Sequence, residues 1–292
     1  MKNNLHLTEV TNNRVKRDKI VSLIMNQNVK SKYKKIMNKL VKLIKPKILK
    51  YILFNGFYFS HKGYCPCCDK KVKFYAFNNW LRDSFICSNC FSIPRERAIM
   101  IVIEKYYPNW RDLDIHESSP VNRGASLKLQ KGAKKYITSQ YFPDKPYGVK
   151  IESFINQDLE NQTFKNESFD IVITQDVMEH IYKPEKAFKE IARTIKNGGA
   201  HIFTVPIINK HKPTEVWAIK GEDSHPVFLK IPEWHGNPID SKGSPVTMHW
   251  GFDIANFIKE KSDLETTIEY IDDISFGIRG EFIEVFVSKK SN

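Results

Sequence analysis

The 292-residue chain contains no apolar run near the ~20 residues that a membrane-spanning helix requires. Its opening residues, MKNNLHLTEV, lack both the apolar h-region and the small-residue cleavage site of a secretory signal. A cytoplasmic protein without a transmembrane segment is the expectation. Cysteine is scarce, at five residues, and disulfides do not persist in that compartment, so paired cysteines should point to metal. Acidic residues are nearly missing from the first 50 positions, where Glu9 and Asp18 face 14 Lys plus Arg. The whole chain carries +13, which leaves the remainder close to neutral. A basic arm is therefore joined to a body with no net electrostatic case for binding phosphate backbones.

The hydrophobic share of 41% is that of a globular protein, and the length allows one sizeable core plus a small appendage. Residues 1–60 form the basic arm. Its first 30 residues are Asn- and Lys-rich with weak periodicity and read as a frayed start. From Tyr33 a helical face appears, with Ile36, Met37, Leu40, Val41 and Ile44 in register and Pro46 as its end. Three uses of residues 31–59 stay open: docking on the main domain, a peripheral contact with an anionic membrane, or a nucleic-acid contact.

Residues 61–93 hold two CxxC pairs, Cys65/Cys68 and Cys87/Cys90, separated by 18 residues. Each pair can present two thiolates to one ion, and four thiolates complete a tetrahedral zinc shell around a small β-ribbon. Four protein ligands close the site, so the Zn2+ expected here is structural. Cys67 is left as a bystander.

Residues 94–292 form the α/β body, organised around Phe169 to Pro206. Phe169, Ile171, Val172 and Ile173 read as a strand buried on both faces, ending in polar Thr174, Gln175 and Asp176. Ala187, Phe188, Ile191, Ala192 and Ile195 follow at helical spacing after Pro184, and Gly198-Gly199 are expected to stop that helix. His201 to Val205 is a second strand. The unit is strand, crossover helix, strand, with a right-handed crossover.

This stretch resembles the second half of a class I S-adenosylmethionine-dependent methyltransferase of the type 11-like kind. Phe169-Asp170, Val177, Glu179-His180, Lys196 and Gly198-Gly199 occupy the places of that family's FDxVxxxxVxEH and KxGG patterns. The resemblance implies a doubly wound, seven-stranded Rossmann-like sheet and S-adenosyl-L-methionine as cofactor. In the place of the family's first βα turn stands HESSPVNRG, with no glycine before Gly124. The cofactor-binding residues it implies are His116, Glu117 and Ser118 in that turn, Ser139 and Gln140 after the second strand, Asp158 and Leu159 after the third, and Gln175 with Asp176 after the fourth. In open α/β sheets these strand ends converge on one crevice.

The insertion at residues 207–250 carries Trp217, Phe228, Trp234 and Trp250 and is read as a lid on the acceptor side. Its four histidines show no HxH or HxxxH spacing and give no metal signature. His180 is the candidate base, because histidine as a residue type titrates near neutrality and this one follows a strand end; Asp223 and His225 join it as catalytic candidates. The expected reaction is methyl transfer to an oxygen or nitrogen of a small molecule, sugar or glycan. Two alternatives stand beside it: an RNA methyltransferase gripping RNA with ribbon and arm, and a non-catalytic scaffold that keeps the fold.

Overall fold

The computed structural model describes residues 58–223, 225–237 and 242–291. Apart from Tyr58, Phe59 and Ser60, the predicted basic arm lies outside the described residues. The chain divides into two compact units, one comprising residues up to Arg97 together with Asp272–Glu281, the other Ala98–Ile271 with the C-terminal residues from Phe282.

In the first unit, β1 (Phe59–Cys65), β2 (Lys70–Ala76) and β3 (Phe85–Cys87) form an antiparallel sheet in that order, with a single helical turn α1 (Leu81–Ser84) before β3. Period-two alternation on β2 turns Phe74 and Ala76 inward and leaves Lys71 and Lys73 outside. The core is small: Phe59, Phe74, Phe77 and Phe85 supply most of it. Arg97 is fully buried within it, donating to the carbonyls of Phe85, Ser92 and Gly277, with its guanidinium 4.7 Å from the Phe74 ring centroid. A buried cation is tolerated because its donors are met by carbonyls. Through Gly277 it also ties in Asp272–Glu281, the segment between the last two strands of the chain.

The second unit begins inside α2 (Pro94–Tyr106). It continues through β4 (Asp114–Ser118), α3 (Gly124–Gly132), β5 (Lys135–Gln140), β6 (Lys150–Ile151), β7 (Phe154–Asn156), β8 (Phe169–Gln175), α4 (Pro184–Thr194) and β9 (Ile195–Thr204). The insertion contributes β10 (Glu215–Val216), β11 (Ala218–Lys220), β12 (Pro226–Phe228), β13 (Trp234–His235), β14 (Ser244–Pro245) and β15 (Met248–His249). The unit closes with α5 (Ile254–Ser262), β16 (Glu265–Glu269) and β17 (Val285–Lys289). The central sheet has eight strands in the order β16-β17-β9-β8-β4-β5-β7-β6. From β9 to β7 the pairings are parallel; β16, β17 and β6 pair antiparallel. The expectation of seven strands is corrected by β6, a two-residue edge strand that folds back on β7 and is too short to leave a hydrophobic pattern.

β8 is buried on both faces as expected, with Ile171, Val172 and Ile173 at zero exposure. On one side Ala187, Phe188 and Ile191 of α4 pack with Ile254 and Ile258 of α5, Trp250, Val172, Phe203 and Phe286. The helix stops earlier than predicted. It ends at Thr194, and Gly198-Gly199 lie inside β9, where the ladder with β8 jumps from Phe169↔Ile195 to Ile171↔Ala200. A Cβ on Gly199 would come within 2.5 Å of the Asp170 carbonyl, so the bulge needs glycine there. The Lys196 amine sits 2.7 Å from Asp114 and 3.0 Å from Asp170, clamping the N-terminal ends of β4 and β8. Asp170 and Lys196 therefore serve the sheet at the end opposite the strand C-termini.

Candidate active site

Strand order reverses between β4 and β8, and the crevice of a doubly wound sheet opens at the C-terminal ends of such a pair. The first residue after each strand is a non-glycine residue in the left-handed region: Ser119 after β4 (φ 55) and Asp176 after β8 (φ 53). That conformation costs about 1–3 kcal/mol and persists only where surrounding bonds impose it. Ser119 N–H donates to the Ser139 carbonyl at 2.8 Å, and Asp176 N–H to the Thr204 carbonyl at 2.9 Å. Asp176 also accepts from the Thr204 hydroxyl at 2.9 Å. Ser119 thus takes up a backbone shape for which glycine is the usual choice.

The residues predicted at the strand ends divide into two groups. Glu117 is fully buried, and its carboxylate accepts from Ser126 Oγ at 2.6 Å, Tyr136 OH at 2.5 Å and Gln175 Nε2 at 2.8 Å. It joins β4, β5, β8 and α3, and its bonds are spent within the protein. His116 and Ser139 are also fully buried and bond one another at 2.8 Å. Leu159 belongs to the core cluster. Nearer the surface, Ser118 and Gln140 keep slight exposure, and Gln175 Oε1 is a buried acceptor with no partner among the described residues. Asp158 accepts from Glu160 N–H at 2.8 Å and from Tyr147 OH at 3.4 Å. Sequence reasoning missed Tyr141 and Tyr147, about two-fifths exposed, with ring centroids 6.4 Å apart near the end of β5. Two exposed aromatic rings beside a carboxylate suit a flat, amine-bearing ligand.

Burial holds His116 and His201 neutral, each with a pKa lowered to about 3. Unfolded histidine titrates near 6.5, so the unfolded chain binds more protons between pH 6.5 and 3, and stability falls as pH drops through that window. Denaturant unfolding at pH 5 should show a loss of about 2 kcal/mol per histidine relative to pH 7. A His201→Phe variant should show roughly half the loss of the parent protein; equal stability of the parent at both pH values would contradict the burial argument.

Beyond Asp176, a single 3-10 turn, Met178–His180, carries the EH pair. Within the insertion β10 pairs with β15, β11 with β12 and β13 with β14. Its last segment is laced to the EH turn, Thr247 N–H and Oγ donating to the Glu179 carbonyl at 2.8 and 3.0 Å and Trp250 Nε1 to the Met178 carbonyl at 3.2 Å. His180 uses Nδ1 on the Pro245 carbonyl at 2.8 Å, and its Nε2 lies 3.8 Å from Glu179 Oε1. Asp223 and His225 lie on a well-exposed turn and pair with each other at 3.3 Å.

Residues 126–203, running from α3 to β9, match the family described as a methyltransferase domain. The chain is a methyltransferase. No curated protein matches it significantly. Among solved structures the methyltransferase is similar to an S-adenosylmethionine-dependent methyltransferase from Mesorhizobium loti (13% identity, TM-score 0.43, covering 65% of this chain and 96% of that one). It is also similar to the PH0226 protein of Pyrococcus horikoshii (15%, 0.40, 66% and 87%) and to a methyltransferase of Methanosarcina mazei (13%, 0.39, 65% and 98%). The cofactor implied by the family match is S-adenosylmethionine. The residues at the β4 and β8 ends fit such a ligand in that they offer an unpartnered acceptor at Gln175 and two constrained turns.

In its first unit, the methyltransferase gathers the sulfurs of Cys65, Cys68, Cys87 and Cys90 within 4.8 Å of one another, with Cys65–Cys90 at 3.6 Å and Cys68–Cys87 at 3.9 Å. Four thiolates about 2.3 Å from one tetrahedral ion lie about 3.8 Å apart. The residue after each pair, Asp69 and Phe91, is left-handed (φ 51 and 61), and Asn89 N–H points at Cys87 Sγ at 3.3 Å. Hydrogen bonds from the other thiols drive the Cys65 pKa down, while those of Cys68, Cys87 and Cys90 are pushed up, chiefly by Cys65. Cys67 donates instead to the Glu96 carbonyl at 3.3 Å.

Among the described residues no helix is long and apolar enough to cross a membrane.

Proposed function

We propose that this methyltransferase binds S-adenosylmethionine across the C-terminal ends of β4 and β8 and methylates an oxygen or nitrogen of a small-molecule or glycan acceptor, with one structural zinc ion on its four cysteines. The observation that carries the reading is the pair of left-handed residues, Ser119 and Asp176, on the two strands that flank the reversal of strand order. Strain placed there, and held by backbone bonds from β5 and β9, is expected of a ligand-binding rim. Ser118, Ser119 and Gln175 would hold the amino-acid end of the cofactor, and Gln140, Tyr141 and Asp158 its adenosine end. Glu117 supports the rim from beneath through Gln175. Once bound, the sulfonium supplies an already activated methyl group, so the protein's task is to align the acceptor with it and to manage the acceptor's proton. The EH turn and the insertion strands laced to it stand on that side. A near-neutral body favours a small acceptor over a phosphate polymer.

Titration with S-adenosylhomocysteine tests the adenosine end. Asp158→Ala should weaken binding by about 1–3 kcal/mol if the carboxylate accepts a buried bond from the ligand. Unchanged affinity in a folded variant would remove Asp158 from the site.

A further inference from the structure

Glu179 is 2% exposed, yet among the described residues neither of its carboxylate oxygens has a hydrogen-bond partner. An orphaned buried carboxylate is costly, and some positive group is expected to answer it. The atoms that face it are nitrogens: His180 Nε2 at 3.8 Å and His235 Nδ1 at 3.7 Å from Oε1. The two rings stand at 90° with centroids 5.1 Å apart. Their other nitrogens are already committed. His180 Nδ1 meets the Pro245 carbonyl, which can only accept, so it carries the proton. His235 Nε2 meets Glu233 Oε1 at 3.3 Å, and the same carboxylate takes His249 Nε2 at 2.8 Å, with Trp217 stacked on His249 at 3.7 Å. In the neutral imidazoles these bonds leave a lone pair on His180 Nε2 and another on His235 Nδ1, both turned toward a carboxylate oxygen. Three electron-rich atoms converge.

We propose that Glu179, His180 and His235 form a divalent transition-metal site, separate from the cysteine cluster, with Glu179 Oε1, His180 Nε2 and His235 Nδ1 as ligands. The three ligand atoms lie within 4.8 Å of one another. Two atoms bound about 2.1 Å from a tetrahedral ion are about 3.4 Å apart, so the observed 3.7 and 3.8 Å separations need only small inward shifts. Two imidazoles and one carboxylate suit zinc, iron(II), cobalt(II) or manganese(II), and three protein ligands leave positions open for water or an oxygen ligand. Glu233 and the Pro245 carbonyl act as outer partners that fix the tautomers of the ligating rings. The spacing of these residues hides the site: Glu179 and His180 are adjacent, and His235 arrives from the insertion 55 positions later. The use of the ion to activate an acceptor hydroxyl rests on the methyl-transfer reading; the binding site does not.

Cobalt(II) titration of the full chain, with zinc left on the cysteines, tests this. The expected result is one further equivalent of cobalt with weak visible bands typical of nitrogen and oxygen ligands and no intense thiolate-to-metal charge transfer. His235→Ala, on a side chain more than a third exposed and outside the core, should weaken that binding at least ~100-fold, and Glu233→Gln about 10- to 100-fold. A parent protein that takes up no cobalt beyond exchange into the cysteines overturns the site, as does a His235→Ala protein that binds it unchanged. Either outcome, obtained in protein that still binds S-adenosylhomocysteine, leaves the methyltransferase reading standing.

Discussion

Cys87→Ala protein should come out of purification lacking one equivalent of zinc and lacking a cooperatively folded first unit. Cys87 is fully buried at the end of β3, and the aromatic core around Phe74 and Phe85 is too small to hold three short strands by itself. Structural zinc contributes about 10–16 kcal/mol of apparent binding free energy in small zinc-finger peptides, far more than such a core. The loss should show as rapid proteolysis within residues 58–97 and as the same unfolding in the parent protein after strong chelation. Cys67→Ala, whose thiol bonds a carbonyl outside the quartet, should keep the zinc. Full zinc content in Cys87→Ala, or a parent indifferent to chelator with its thiols reduced, would contradict the four-thiolate site.

The second large effect is on turnover. His180→Ala should leave S-adenosylhomocysteine affinity within about twofold and lower the methyl-transfer rate by ~100-fold or more, the usual cost of losing a group that manages the acceptor's proton. The ring sits after β8 on the insertion side, anchored through Nδ1 to Pro245, and its Nε2, as a ligand of the ion proposed above, would help to activate the acceptor. Asp223→Ala and His225→Ala should change turnover little, because both side chains are about three-quarters exposed and pair with each other. A His180→Ala enzyme of normal rate would move the acceptor chemistry elsewhere. A variant that fails to fold would instead assign the ring a structural part, and His180→Gln, which can still reach Pro245, separates the two cases.

The sheet was legible where pattern and burial coincide. The apolar run Ile171–Ile173 and the helical spacing from Ala187 to Ile191 both describe faces that the structure buries completely. Elements set by backbone shape escaped. The bulge that absorbs Gly198-Gly199 depends on the approach of the Asp170 carbonyl, and no propensity reports that distance. The glycine-poor turn looked unfavourable in the sequence because nothing there reveals that Ser119 is held left-handed by a bond from β5. Among candidate ligands, strand alternation was the missing consideration. Glu117 and His116 occur at a strand's C-terminal end, as functional residues do, yet on β4 their side chains point into the two covered faces and find protein partners. Tyr141 and Tyr147 could have been found by looking for exposed aromatics just past a strand end. Glu179 with His235 could not, since their proximity exists only once the insertion folds back on the EH turn.

Calorimetric titration of S-adenosylhomocysteine into the folded, zinc-loaded chain tests the central claim most directly. One equivalent should bind, and Gln175→Ala, which removes the unpartnered acceptor at the end of β8, should reduce the affinity at least ~5-fold, the loss of about 1 kcal/mol expected for one buried hydrogen bond. Absence of binding at millimolar ligand, in protein whose unfolding is cooperative and whose zinc is in place, would contradict a cofactor site between β4 and β8 and leave a methyltransferase fold without its chemistry.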